Sequence, residues 1–197
     1  MYNAEMFEML AELVIDKDED DAFNDNGSGT ALVNIIKASA RLGITNNQFL
    51  RVILNAQVQS FKELDIPWST ILFKELGEFP TKDATPIVEA LIEMSQPLHK
   101  KLKKGYVTQS QAQDMMKSEG NLFESRDEIF AKVPDLTDYA DLWLSLQLFA
   151  AKRTQAMSAH PSSDLGEQSA HSIRLIATDL VKIFAGNERW QATQMNA

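Results

Sequence analysis

The sequence predicts an all-α fold, a single-domain bundle of about eight or nine helices, and three observations predict it. Apolar residues recur at spacings of three and four along most of the chain. Capping residues, prolines and glycines punctuate these stretches where helices should start and stop. No hairpin turn signal and no sustained alternation of apolar and polar residues appears anywhere.

Residues 2–15 place Met6, Met9, Leu10, Leu13 and Val14 on one helical face. The acidic run Asp16-Lys17-Asp18-Glu19-Asp20-Asp21 ends that helix, and residues 16–29 read as an acidic, then Asn-, Gly- and Ser-rich loop. A second helix over Thr30–Leu42 should turn Leu32, Ile35, Ile36 and Ser39 inward, with Gly43 supplying the left-handed residue that ends it. Thr45 or Asn46 then caps a third helix reaching Leu64 through Phe49, Val52, Ile53 and Ala56. Pro67 suits the first turn of a short helix ending near Gly77.

Thr85-Pro86 marks the next start, and Ile87, Val88, Leu91, Ile92, Leu98 and Leu102 carry the helical spacing to Gly105, with Pro97 expected to kink or split it. Thr108 with Gln111, and Ser125 with Glu128, read as capping boxes of two shorter helices. Tyr139, Leu142, Trp143, Leu146, Phe149 and Ala150 form a stripe over Asp138–Ser158, closed by His160-Pro161. Ser169, Ile173, Ile176, Ala177, Leu180 and Phe184 form another over Asp164–Ala185, closed by Gly186. The helical domain is thus expected over 1–186, with 187–197 a frayed tail. No stretch recurs at a fixed period, which argues against a stack of repeats.

Composition narrows the function classes. With 197 residues, 44% of them hydrophobic, the chain can bury a sizeable core without a staple. It has no cysteine, which removes disulfides, thiolate catalysis and Cys-ligated metals and fits a reducing, cytoplasmic setting. The first residues have neither a basic stretch nor an apolar core of signal-peptide type. No apolar run approaches the roughly 18 residues of a membrane span. A net charge of −9 has the wrong sign for phosphate contacts, so nucleic acid is a disfavoured partner.

Several constellations carry candidate chemistry. Residues 35–54, with Ser39, Leu42, Gly43, Phe49 and Val52, resemble a helix-turn-helix, in which Asn46, Asn47 and Arg51 would face the bases. Leu50 and Leu54 would share that exposed face, however, and Arg51 is its only cation before Lys62. His160, Asp164, Glu167 and His171 fall on one face at metal-ligand spacing, but opposite the apolar stripe of their helix, which makes it a solvent face. His99-Lys100-Lys101-Leu102-Lys103-Lys104 sits at a helix C-terminus, where cations offset the macrodipole. Asp16 opens an EF-hand-like loop, but Asp21 and Gly27 stand where the turn glycine and the bidentate glutamate belong. Glu89 and Glu93 lie one turn apart and read as a solvent-facing edge rather than an acid/base pair. Trp143 is expected in the core, and Trp190 as an exposed anchor.

No catalytic triad order, phosphate loop or dinucleotide turn is present. The expectation is therefore a non-enzymatic, acidic protein-interaction module: an adaptor, an inhibitor of immunity type or a regulatory subunit, with no cofactor. Its expected protein partner is basic, met by Asp16, Asp18, Glu19, Asp20, Asp21 and Trp190. Self-association through Leu175, off the apolar face of its helix, is a further expectation. One alternative is a DNA-binding regulator using Asn46, Asn47 and Arg51. The other is a helical metal-dependent enzyme drawing on His99, His160 or His171 with Glu89, Glu93, Asp164 or Glu167.

Overall fold

The computed structural model describes residues 29–44, 46–105, 136–161 and 164–186. All regular structure among them is helical: α1 (Gly29–Leu42), α2 (Asn47–Ser60) with a 3-10 turn at Phe61–Glu63, α3 (Ile66–Glu78), α4 (Thr85–Gly105), α5 (Leu136–Ala159) and α6 (Leu165–Ala185). The helices expected over 2–15 and after Thr108 and Ser125, the loop at 16–28 and the tail at 187–197 lie outside the described residues.

Local chemistry sets most boundaries. Gly43 has φ 69°, a left-handed conformation that costs glycine nothing, and it turns the chain out of α1. The cap of α2 is Asn46, whose side chain accepts from the amides of Gln48 and Phe49. Asp65 caps α3 by accepting from the Trp68 amide, with Pro67 in the first turn. The third helix expected to reach Leu64 ends instead at Ser60 and tightens into the 3-10 turn. The helix α4 runs unbroken through Pro97, so the expected split does not occur. Proline there removes the donor to the Glu93 carbonyl, and Glu93 lies on an exposed side where water can replace it.

Contacts along the helices give the architecture. Gly29 lies against Ser60 and Leu64, so α1 and α2 form an antiparallel hairpin. The Arg51–Glu89 and Lys101–Leu64 contacts make α2 and α4 parallel neighbours. Thr70 donates to the Asp138 carbonyl and Lys152 to that of Phe79, so α3 and α5 are parallel too. Arg153 meets Gly166 while Trp143 meets Phe184, which folds α5 and α6 into an antiparallel hairpin. His99 meets Asp179, placing α6 alongside α4. The result is three hairpins stacked in two layers, α1–α3–α5 and α2–α4–α6.

The first two hairpins are related by a common offset. Lys37 pairs with Glu75 and Arg51 with Glu89, both 38 residues on. At that offset the buried Phe49, Leu50, Val52, Ile53 and Gln57 correspond to the buried Ile87, Val88, Ala90, Leu91 and Ser95. The correspondence is confined to the first two hairpins, since contacts from the second to the third span 68 to 80 residues.

One apolar cluster draws on all six helices. At its centre Phe73 of the second hairpin touches Phe61 of the first at 6.1 Å and Phe149 of the third at 5.0 Å, between ring centroids. The hairpins also approach closely at Gly77, where an added Cβ would stand 2.5 Å from the Leu148 Cβ.

Burial departs from expectation at several positions. In α1, Val33 rather than Ile35 completes the inward sector, and Ile35 is exposed. Leu50 and Leu54, expected on an exposed face, are buried because α2 is sandwiched between α1 and α4. Trp143 is 36% exposed, standing beyond the Leu142–Leu146–Phe149 sector with its ring edge-on to Phe184. Ala150 is exposed as well. Leu175 is half-buried. No helix among the described residues is long and apolar enough to cross a membrane.

Candidate functional site

The two ends of the α2–α4–α6 layer differ sharply. At one end the helices diverge around an open cleft of about 680 Å³, lined by Arg51 of α2, Thr85, Glu89, Ile92 and Glu93 of α4, His160 after α5, and Leu165 and Gln168 of α6. That volume lies in the range of small-molecule sites, although the cleft is open to solvent rather than enclosed. Ile92 and Leu165 form its apolar floor, packed on a small buried cluster of Ala84, Val88 and Ala156. Arg51 crosses the rim to the Glu89 carboxylate at 2.9 Å, with both side chains nearly half exposed.

The α3–α4 turn below the cleft is firmly held. The Gln155 amide donates to the carbonyls of Thr81 and Lys82, each at 2.9 Å. The Lys152 ammonium caps the Phe79 carbonyl at 2.5 Å, and burial pushes its pKa down. The Thr81 hydroxyl donates to the Asp83 carbonyl, and Asp83 in turn accepts from the Thr85 amide at the start of α4. Burial opposes ionisation of Asp83, but hydrogen bonding to Thr85 and the nearby His160 and Arg51 outweigh it and hold its carboxyl below the usual range. These contacts fix the cleft's base, which pre-organises the side chains above it.

At the opposite end the same layer is closed. Buried Asp179 of α6 pairs with the Nδ1 of half-buried His99 on α4. Lys101 extends across to the end of the first hairpin, where its ammonium donates to the carbonyls of Phe61 and Leu64 and lies 4.1 Å from the Phe61 ring centroid. Burial lowers its pKa to about 8, with Asp65 opposing. Lys101 therefore does not serve the C-terminus of its own helix, where the sequence placed the lysine run, but the carbonyls that follow α2.

The sequence candidates are distributed as follows. Arg51, Glu89, Glu93 and His160 converge on the cleft, although they came from three separate constellations. Thr85, Ile92, Leu165 and Gln168 complete it, and no spacing pattern marks them. His160, Asp164, Glu167 and His171 are exposed, as a solvent face requires. Among the described residues no group of three or more His, Cys, Asp or Glu is placed to hold a metal ion. Of the residues proposed to read DNA, Asn46 is occupied as the α2 cap, Asn47 lies with its side-chain oxygen 3.4 Å from the Thr81 hydroxyl, whose hydrogen goes to the Asp83 carbonyl, and Arg51 is paired with Glu89. The acidic segment Asp16, Asp18, Glu19, Asp20 and Asp21, and Trp190, lie outside the described residues.

No family model matches the chain, and no curated protein or solved structure is significantly similar to it.

Proposed function

We propose that this protein is a helical interaction module that docks a segment of a protein partner in the cleft at the open end of its second layer. The observation supporting this reading is the cleft itself. It combines an apolar floor with a polar rim contributed by three helices and a turn, the mixture that characterises recognition surfaces. The rim residues are held by the second layer, while the base is fixed by Gln155, Lys152 and Asp83. Binding therefore needs little rearrangement and loses little entropy in ordering the site. A net charge of −9 favours association with a basic protein and speeds encounter with it.

Affinity capture from a lysate of the source organism tests this, with nuclease-treated and untreated arms. The double variant Glu93→Arg, Gln168→Arg alters two exposed rim residues. A control, Asp141→Arg, alters an exposed residue of α5 that does not line the cleft. The expected result is a stoichiometric protein that survives nuclease, is retained by the control and is lost by the rim variant. Enrichment of nucleic acid, or capture indifferent to the rim variant, would overturn the reading.

A further inference from the structure

The lining of the cleft is specific enough to name the chemistry of what enters it. Ile92 and Leu165 offer a partly buried apolar floor, backed by Ala84, Val88 and Ala156. Glu89 and Glu93 stand on successive turns of α4 above that floor. Arg51 brings a positive charge to the rim, but its guanidinium is met by Glu89. Glu93 is exposed and enters no ion pair among the described residues. His160 also lines the cleft, and it lies near Asp83, which precedes α4 outside the lining. With Arg51 and Glu89 offsetting each other, Glu93 is the carboxylate of the lining left without an ion-pair partner among the described residues, on a chain that is itself acidic.

An acidic side chain would have to compete with Glu89 for Arg51, and the other basic group of the lining, His160, lies near the Asp83 carboxylate. A purely apolar side chain would cover the floor but take water from the Glu93 carboxylate without replacing its hydrogen bonds. A long cationic side chain meets both demands: its methylene stem lies on the apolar floor while its charged head remains at the wet rim beside a carboxylate. A cleft of about 680 Å³ is also larger than one such side chain, so it accommodates the neighbouring residues of an extended segment.

We infer that the cleft takes a lysine or arginine side chain presented by an extended basic segment of the protein partner, its stem on Ile92 and Leu165 and its head at Glu93. This inference rests on the interaction-module reading and specifies its chemistry.

The test is methyl NMR of the isotope-labelled full chain, titrated with capped Ala-Ala-Xaa-Ala-Ala peptides in which Xaa is lysine, arginine, norleucine or glutamate. The lysine and arginine peptides are expected to shift the Ile92 and Leu165 methyl signals saturably. They should bind about three- to fivefold more tightly than the norleucine peptide, the range for a solvent-exposed ion pair. Glu93→Gln should abolish that preference, whereas Asp141→Asn on α5 should preserve it. Equal or tighter binding of the norleucine or glutamate peptide would overturn the inference. So would Ile92 and Leu165 signals that no peptide moves. If partner capture still depends on the rim in those cases, only the cationic chemistry fails. If capture ignores the rim as well, the interaction reading falls with it.

Discussion

The open and closed ends of the α2–α4–α6 layer use similar charges for different ends. At the open end, Arg51 and Glu89 pair with 49% and 45% of their side chains exposed. At the closed end, Asp179 pairs with His99 at 6% and 18% exposure, and Lys101 is half-buried over a phenyl ring and two carbonyls. Solvent screening makes the first pair nearly neutral for stability. Burial makes the second set strongly interdependent, because removing one member leaves another desolvated without compensation. Charge type alone therefore does not tell which pair holds the fold together; exposure does.

Four substitutions grade that contrast. The largest effect is expected at Asp179→Ala, which takes the carboxylate partner from His99 between α4 and α6 and should destabilise the fold by about 2 kcal/mol, read by urea unfolding. A loss below about 1 kcal/mol would show that the closed end is not held by this pair.

Lys101 provides a pH signature. Its amine titrates near 10.5 when unfolded and at about 8 when folded. Between those values the unfolded chain holds more protons, so this group's contribution to stability rises with pH from about 8 to 10.5 and is flat below. Urea midpoints of the wild type and Lys101→Met, compared at pH 7 and pH 10, should converge on that slope. A wild-type midpoint that gains nothing relative to the variant over this interval would contradict the assignment.

Between the two ends, Gln57 is fully buried in α2 with neither side-chain polar atom hydrogen-bonded within the protein. Gln57→Leu removes both unmet groups at similar volume and should stabilise by about 1 kcal/mol in the same assay, whereas a loss would reveal a polar partner for it. The smallest effect is expected at Arg51→Ala, no more than about 0.5 kcal/mol, because its ion pair is exposed. A loss of several kcal/mol there would make the open end structural.

Much of the secondary structure was legible because its signals are local. Gly43, Asn46, Asp65 with Pro67, and Thr85-Pro86 each act within a turn of the boundary they set, and the sequence marks them. Side-chain placement was legible where one neighbour buries one stripe. It failed where a helix has neighbours on more than one side, as for Leu50 and Leu54 in α2, or where the stripe runs past its neighbour, as for Ile35 and Trp143.

The hairpin stack was hidden because its contacts join residues 38 to 80 positions apart, and the first two hairpins match in burial rather than residue type, Phe49 with Ile87 and Gln57 with Ser95. The cleft was visible only in fragments. Arg51, Glu89 and His160 each drew attention for unrelated reasons, and nothing local joins them across more than a hundred residues. The pairing of His99 with Asp179, 80 residues away, likewise depends on the lateral packing of α4 on α6, which no local pattern encodes.

The account turns on whether the open end is where a partner docks. The most direct measurement is the quantity of captured partner at rising bait concentration for the wild type and for Glu93→Arg, Gln168→Arg, with both proteins first shown to share an unfolding midpoint. A drop of about tenfold or more in apparent affinity, without loss of stability, is the predicted result. Undiminished capture by an equally stable rim variant would contradict it and move the binding face elsewhere on the molecule.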